Sequence, residues 1–455
     1  MIACWTAHLK EVNSFLWGFP LMSTLLGTGI YYTLRLRFIQ IFKLKLALSY
    51  LFYKKEDEGK STGDVSCFAS LCTSLASTIG TGNIVGVATA ILTGGPGAMF
   101  WMWVVAFFGM ATKYAESVLA IKYRRINKNG TVDGGPMYYI QNGLHSKWLA
   151  KAFALFGVGV AFLGIGTFCQ VNSIAVAASF FGITRFSTSL WVTILVAVIT
   201  LGGIKCIAKV SEKVVPFMTL AYILCAILVI IRNINLLPNA LKFIFVGAFN
   251  PEAVFGGGVG VTTMKVMQIG VSRGIFCDES GLGSTPIAAA IAKTNSPEKQ
   301  GLISMTGTFF SMLTCSMTGL VLILVHGATD FFVPHPTLEG ATLTAFAFGN
   351  GMGYLPLGSY VVNVGIIFFA FTTIIGWNYY GEKCFQYLTG ENWVIVYRII
   401  FLVCVTIGPF LKLETIFPIA DIVNGLMVIP NLIGLIFLRN VVCRQEKYDA
   451  CGKVR

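Results

Sequence analysis

Apolar runs of about 18 or more residues recur from end to end of this sequence, and nothing else in it restricts the fold so severely. A helix of about 20 residues crosses the roughly 30 Å hydrocarbon core of a bilayer. The composition points the same way: 55% of residues are hydrophobic and 12% charged, against about 25% charged in soluble domains. The longest polar stretches are loop-sized, so no separate soluble domain is expected. The start lacks a basic region ahead of its apolar run, so no cleavable signal peptide is expected either. The fold class that follows is an all-α polytopic membrane protein.

Eleven spans are expected, near residues 14–34, 65–92, 97–121, 150–180, 188–203, 208–231, 257–291, 301–326, 358–381, 394–410 and 415–438. The net charge of +13 then reads as loop bias rather than as affinity for nucleic acid. Basic residues gather before the second span (Arg35, Arg37, Lys43, Lys45, Lys54, Lys55, Lys60) and after the third (Lys122, Arg124, Arg125, Lys128, Lys147). They return after the fifth (Lys205, Lys209, Lys213) and in the tail (Arg439, Arg444, Lys447, Lys453, Arg455). The connection 327–357 has no Lys or Arg. Positive loops stay in the cytoplasm, which places the N-terminus outside and the C-terminus inside. The 12 Cys are scattered through apolar segments without CxxC pairs or His partners, and read as small hydrophobes.

The second and seventh spans carry dense runs of Gly and small polar residues where a helix should be continuous. Eleven spans divide as one plus five plus five, and these two open the two groups of five. The division expected is 1–60 for the extra helix and its basic segment, 61–235 and 236–440 for two inverted repeats, and 441–455 for the tail. Broken helices at matching positions of inverted repeats mark the binding site of a secondary transporter. The alternative is that the glycines only permit close helix packing.

The first break runs Ala76-Ser77-Thr78-Ile79-Gly80-Thr81-Gly82-Asn83-Ile84-Val85-Gly86. Unwinding there frees N–H groups, which with the half-helix dipole suit a carboxylate. It also frees carbonyls, which suit a cation. The spacing is GxGxxxG without a flanking strand, so it is not a dinucleotide fingerprint, and no Lys-Ser/Thr pair makes it a P-loop. Asn83 speaks for more than packing, because a buried amide needs partners. The second break is placed at Gly270 and Gly274, ahead of Asp278 and Glu279. Arg273 and those two acids fit a cytoplasmic gate or wetted vestibule, or else a charged helix end at the inner surface. Gln170, deep in the fourth span, fits either interhelical hydrogen bonding or ligand contact. Thr372 and Thr373 precede Trp377 by about one turn; they either back-bond to their own helix or face the same cavity. Trp377 is either an interfacial anchor or part of that cavity. Lys113 and Glu116 stand at i,i+3 and are expected to neutralise each other. No HExxH, GxSxG or metal-ligand cluster occurs, so no enzyme chemistry is expected. A cation channel, the other rival, lacks a ring of acidic residues.

The segments Thr78–Ala88, Gly94-Gly95-Pro96-Gly97-Ala98-Met99-Phe100-Trp101-Met102-Trp103, Gly109-Met110-Ala111-Thr112-Lys113 through Glu116, Asp133-Gly134-Gly135-Pro136-Met137-Tyr138-Tyr139 and Arg273-Gly274-Ile275-Phe276 through Ser284 resemble the alanine/glycine:cation symporter family, over essentially the whole chain. One departure is Cys277-Asp278-Glu279-Ser280, where the family more usually has Ser-Asn-Glu-Ala. The resemblance implies a LeuT-like five-plus-five inverted repeat with one extra N-terminal helix, in a bacterial plasma (inner) membrane. It implies import of alanine or glycine with Na⁺, or less often H⁺, with no obligate protein partner. The amides of Thr81 and Gly82 would take the substrate carboxylate, beside Asn83. Gln170 and Trp377 would line the pocket, and Gly270 with its neighbours would close it around the amino group. Sodium would lie on the carbonyls of Ala76, Ile79 and Phe369 and the hydroxyls of Thr372 and Thr373.

Overall fold

The computed structural model describes residues 2–52, 61–127, 130–250, 262–326, 340–353, 356–411 and 413–444. Lys54, Lys55, Lys60, Lys128, Lys447, Lys453, Arg455, residues 257–261 of the seventh expected span and residues 327–339 and 354–355 of the connection 327–357 lie outside them. After an N-terminal helix (Ile2–Leu16) the described spans are α1 (Phe19–Arg35), a broken pair α2 (Cys67–Thr78) and α3 (Val85–Gly94), and α4 (Gly97–Lys122). A second interrupted helix follows, α5 (Lys147–Leu163) and α6 (Phe168–Ser179), then α7 (Arg185–Leu201) and α8 (Gly203–Arg232). The later half repeats the opening: α9 (Thr263–Asp278) and α10 (Thr285–Ala289) form a broken pair. Then come α11 (Pro297–His326), α12 (Leu357–Thr389), α13 (Val394–Ile407) and α14 (Leu413–Phe437). Seven of these stretches are long and apolar enough to cross a bilayer unaided. The two broken pairs and the 17-residue helices α1 and α7 bring the spans to the expected eleven.

Burial sorts the helices into an inner and an outer set. The apolar stretch of α4 is 83% buried and that of the last-but-one span only 28%, so α4 is central and α13 peripheral. Phe186, Trp191 and Val198 on α7, Phe217 and Leu228 on α8, and Ile395 and Ile399 on α13 point outward. This is the face a helix presents to lipid. The inner helices α2, α4, α11 and α12 carry instead the buried hydroxyls, amides and charges.

The first break lies where expected. Ser66 caps α2, accepting from the Ala69 N–H, and the helix runs to Thr78. Ile79 and Gly80 leave helical geometry, a single 3₁₀ turn spans Thr81–Asn83, and α3 begins at Val85. Gly80 is extended, and its glycine character answers to crowding: a Cβ there would lie 2.5 Å from the Thr373 hydroxyl.

The second break does not lie at Gly270 and Gly274. Both sit inside continuous α9, packed on α4; a Cβ on Gly270 would be 2.5 Å from the Ala98 carbonyl, and one on Gly274 2.7 Å from Val105. They are small residues at a helix–helix contact. The chain unwinds at Glu279–Ser284, where Glu279, Gly281 and Gly283 all have positive φ. Beyond it the bases of the two broken pairs are stitched together. The Asp64 N–H donates to the Ile291 carbonyl (2.8 Å) and the Lys293 N–H to the Val65 carbonyl (2.8 Å), as a parallel bridge between Val65 and Ala292.

The left-handed turn gives a stability test. Gly283 has φ +81, and a Cβ on it would lie 2.8–2.9 Å from Asn431, Pro136 and Phe153. Gly182 has φ +74 with open space around it. Gly182→Ala is expected to cost about 1 kcal/mol of backbone strain, and Gly283→Ala about 1–3 kcal/mol more from overpacking. Thermal unfolding in detergent checks this; equal losses would show that Gly283 is not tightly enclosed.

Candidate transport site

Three helices converge on the first break. From α6, Gln170 accepts the Thr81 N–H on its side-chain oxygen (3.2 Å) and donates to the Ile165 carbonyl (3.0 Å). From α9, the Phe276 ring covers Gly82, 3.0 Å from where a Cβ would be. From α11, Ser311 accepts the Asn83 amide on both its hydroxyl (2.8 Å) and its carbonyl (3.2 Å). The Thr318 hydroxyl donates to the Asn83 carbonyl (2.9 Å). Two oxygens aimed into this region, the Thr81 hydroxyl and the Asn83 side-chain carbonyl, are buried without a protein partner.

One turn earlier, α2 crosses α12. The Thr373 hydroxyl lies 3.0 Å from the Ala76 carbonyl and 2.9 Å from that of Phe369, and the Thr372 hydroxyl is 3.0 Å from the Phe369 carbonyl. Ile79 ends α2 at this crossing, its N–H on Leu75 (2.7 Å). All five residues are buried. The back-bonding open to Thr372 and Thr373 is therefore present, and Thr373 also reaches across to the broken helix. An all-oxygen set of this kind suits a hard cation.

The second break is ionic. Lys113 on α4 is fully buried and donates to the Asp278 carbonyl (2.6 Å) at the end of α9. Glu116 accepts from Asn431 (2.6 Å), which also donates to the Gly281 carbonyl (2.8 Å). Lys113 and Glu116 thus hold the unwound segment rather than each other. Glu279 accepts the Trp377 indole N–H (3.0 Å) and the Ser284 hydroxyl (2.6 Å). Trp377 is 1% exposed, so it is no interfacial anchor; its ring packs edge-on to Tyr380, whose hydroxyl meets Ser77 on α2 (2.8 Å). Gly270 is not among the residues brought together, because it faces α4 two turns before the unwound segment.

Charged side chains make contacts on either side of the site. Arg273 pairs with Asp421 on α14 (2.8 Å) and lies over the Phe276 and Phe417 rings. Arg273 lies within continuous α9, ahead of the unwound segment. On the basic face, the Arg124 guanidinium donates to the carbonyls of Ala290, Ala292, Thr294 and Thr62. Ser311, Thr318, Asp421, Asn431 and Tyr380 had not been singled out in the sequence. Their signal was a polar group inside an apolar span.

A family model described as the sodium:alanine symporter family matches residues 2–453. The chain belongs to that family. A sodium/alanine symporter, AgcS, of Methanococcus maripaludis is 49% identical over 450 residues, covering 96% of each protein. An uncharacterised transporter of Haemophilus influenzae is 57% identical over 441 residues, covering 96% of this chain and 95% of that one. Among solved structures, MhsT in complex with L-phenylalanine superposes with a TM-score of 0.58 at 12% identity, over 83% of this chain and 89% of that one. At that identity the likeness speaks for the fold, which is LeuT-like. As a member of the sodium:alanine symporter family, the chain is a multi-pass membrane transporter performing Na⁺-coupled amino-acid symport.

Gln170 sits where it can be tested. Gln170→Ala is expected to weaken alanine binding by about tenfold, since one buried hydrogen bond is lost. The ligand-free unfolding temperature should move by only about a few degrees. Binding and thermal-shift measurements separate the two; a large loss of stability with unchanged affinity would make Gln170 an interhelical tie only.

Proposed function

We propose that this protein imports a small neutral amino acid, alanine or glycine, together with Na⁺ by alternating access around the two broken helices. One observation carries the reading. The Thr373 hydroxyl joins the carbonyls of Ala76 and Phe369 one turn from the Thr81 amide that Gln170 holds. The substrate carboxylate takes the amides of Thr81 and Gly82, beside Asn83, in exchange for the Gln170 side-chain oxygen that now holds the Thr81 N–H, and the Gln170 amide N–H turns to donate to it. Sodium takes the carbonyls of Ala76, Ile79 and Phe369 and the hydroxyls of Thr372 and Thr373. Phe276 covers Gly82, and Trp377 limits the side chain that the pocket takes. Burying an ion costs several kcal/mol, and one helix-end contact returns about 0.3–2 kcal/mol. Carboxylate and Na⁺ therefore need each other, which is the physical basis of coupling.

The two repeats, 61–235 and 236–440, rock about this site. Basic loops put the N-terminus outside and the C-terminus in the cytoplasm of a bacterial plasma membrane. Arg273–Asp421 then forms the outer gate and the Arg124 cluster the inner one. One Na⁺ moved with a zwitterion gains about 2.3 kcal/mol per 100 mV, and a tenfold Na⁺ gradient adds about 1.4 kcal/mol.

Reconstituted protein is expected to accumulate labelled alanine only with an inward Na⁺ gradient; equal uptake in choline medium would overturn Na⁺ coupling. Thr372→Ala and Thr373→Ala should each raise the Na⁺ concentration for half-maximal uptake, and no change in either removes them from the cation site. Asp421→Ala breaks the outer gate. It should speed labelling of Cys277 by an impermeant maleimide, with Cys277→Ala as the control. An unchanged labelling rate would place the barrier elsewhere.

A further inference from the structure

On the basic face lies a cavity of about 700 Å³, walled by the two short strands after α4, the start of α5 and the end of α12. Four cations line it: Arg124, Arg125, Lys147 and Lys151. Two carboxylates line it as well, and both are engaged. Asp133 holds Lys383 and Asn127, and Glu391 accepts from Gln386. Arg124 spends its terminal nitrogens on backbone carbonyls, Ala290, Ala292 and Thr294 among them. Among the described residues, no carboxylate pairs with Arg125, Lys147 or Lys151. Basic residues on a loop face need no ligand to account for them, since they set orientation. These are set apart by lining one concave space, where like charges repel and an anion relieves them.

The surroundings say which anion fits. The volume is that of a site for a small organic ligand, more than a bare phosphate fills. Lys151 stands between Trp148 and Leu155 on one stripe of α5, at i, i+3 and i+7. Trp148 is 79% exposed and Leu155 60%, while Ala150, Phe153, Ala154 and Gly157 take the buried side. An exposed Trp beside Lys at a helix end marks the headgroup level of a bilayer, where the ammonium snorkels to phosphates. Basic pockets between spans at that level take anionic headgroups. The amides of Gln141 and Asn142 line the same space and suit the hydroxyls of a glycerol headgroup.

We propose that this cavity binds the headgroup of an anionic phospholipid, its phosphate held by Arg125, Lys147 and Lys151 and its glycerol hydroxyls by Gln141 and Asn142. A soluble phosphate ester carries the same charge; the exposed stripe of Trp148, Lys151 and Leu155 is what favours the lipid. None of the residues given to amino acid or Na⁺ lines the cavity, so the inference stands apart from the symport reading. Arg124 links the two regions. It lines the cavity and also clamps the chain after α10, so a seated headgroup borders the base of the second broken helix.

Thermal unfolding of the delipidated full chain in neutral detergent tests this, because a ligand of the folded state raises the unfolding temperature. The probes are short-chain phosphatidylglycerol, phosphatidylcholine of the same chain length, and glycerol phosphate. Phosphatidylglycerol should stabilise saturably, phosphatidylcholine should not, and glycerol phosphate should act only at far higher concentration. Lys147→Gln with Lys151→Gln should weaken phosphatidylglycerol by about twentyfold, or about fivefold per cation. Arg125→Gln, on a different element, should repeat the loss at about fivefold even if the paired variant disturbs α5. Lys205→Gln with Lys209→Gln removes two cations at the same spacing from the start of α8, outside the cavity, and should leave the affinity unchanged. Equal losses in the two paired variants would reduce the effect to surface charge. Equal affinity for glycerol phosphate would make the cavity a site for soluble anions. Equal stabilisation by phosphatidylcholine would leave no anion site at all. Each of these results overturns the proposal, and none of them bears on Na⁺-driven uptake.

Discussion

A bilayer core offers no water to hydrogen-bond, so any backbone group released from a helix there must be met by the protein or by cargo. Much of the inner architecture answers that constraint at two places. Around the first break, Gln170 meets the Thr81 N–H and Thr318 the Asn83 carbonyl. Around the second, Lys113 meets the Asp278 carbonyl and Asn431 that of Gly281. The helices that supply these groups, α4, α6, α11 and α14, are thereby fixed in position around the site. A transporter gains from this arrangement because groups satisfied by side chains can exchange them for ions and substrate at modest cost.

The spans were legible because hydrophobic length is a one-dimensional property, and the first break because Gly80-Thr81-Gly82-Asn83 interrupts one of them. Thr372 and Thr373 were legible as a pair, and the crossing of α12 over α2 brings them to Ala76 and Phe369. The second break was misplaced for a physical reason. A glycine that lets two helices touch, such as Gly270 against Ala98, looks in sequence like one that lets a chain unwind. The distinguishing signs were Gly281 and Gly283 just beyond a pair of acids, a pattern that also suits a helix ending at the surface. Lys113 and Glu116 misled because i,i+3 spacing shows only that two side chains share a helix face, not which neighbour they meet. Ser311 stays silent until folding brings it 228 positions along the chain to Asn83.

The ionic cluster and the proposed cation cage divide the work of the site. The cage at Ala76, Phe369, Thr372 and Thr373 is built wholly of neutral oxygens, so its affinity for a cation depends on what lies beside it. The cluster supplies that field from the other broken helix, with Trp377 and Tyr380 on α12 linking the two: one reaches Glu279, the other Ser77. Residues that define the site in one repeat are in this way oriented by the other.

The parallel bridge between Val65 and Ala292 has a mechanical consequence. Backbone hydrogen bonds tie the base of α2 to the chain just after α10, and Arg124, just past the end of α4, clamps the same two segments. The arms of the two broken helices on the basic face are thus one lever with a shared fulcrum. Neither arm swings without carrying the other or unzipping the bridge, so opening on this face is a single cooperative movement and not that of two independent flaps.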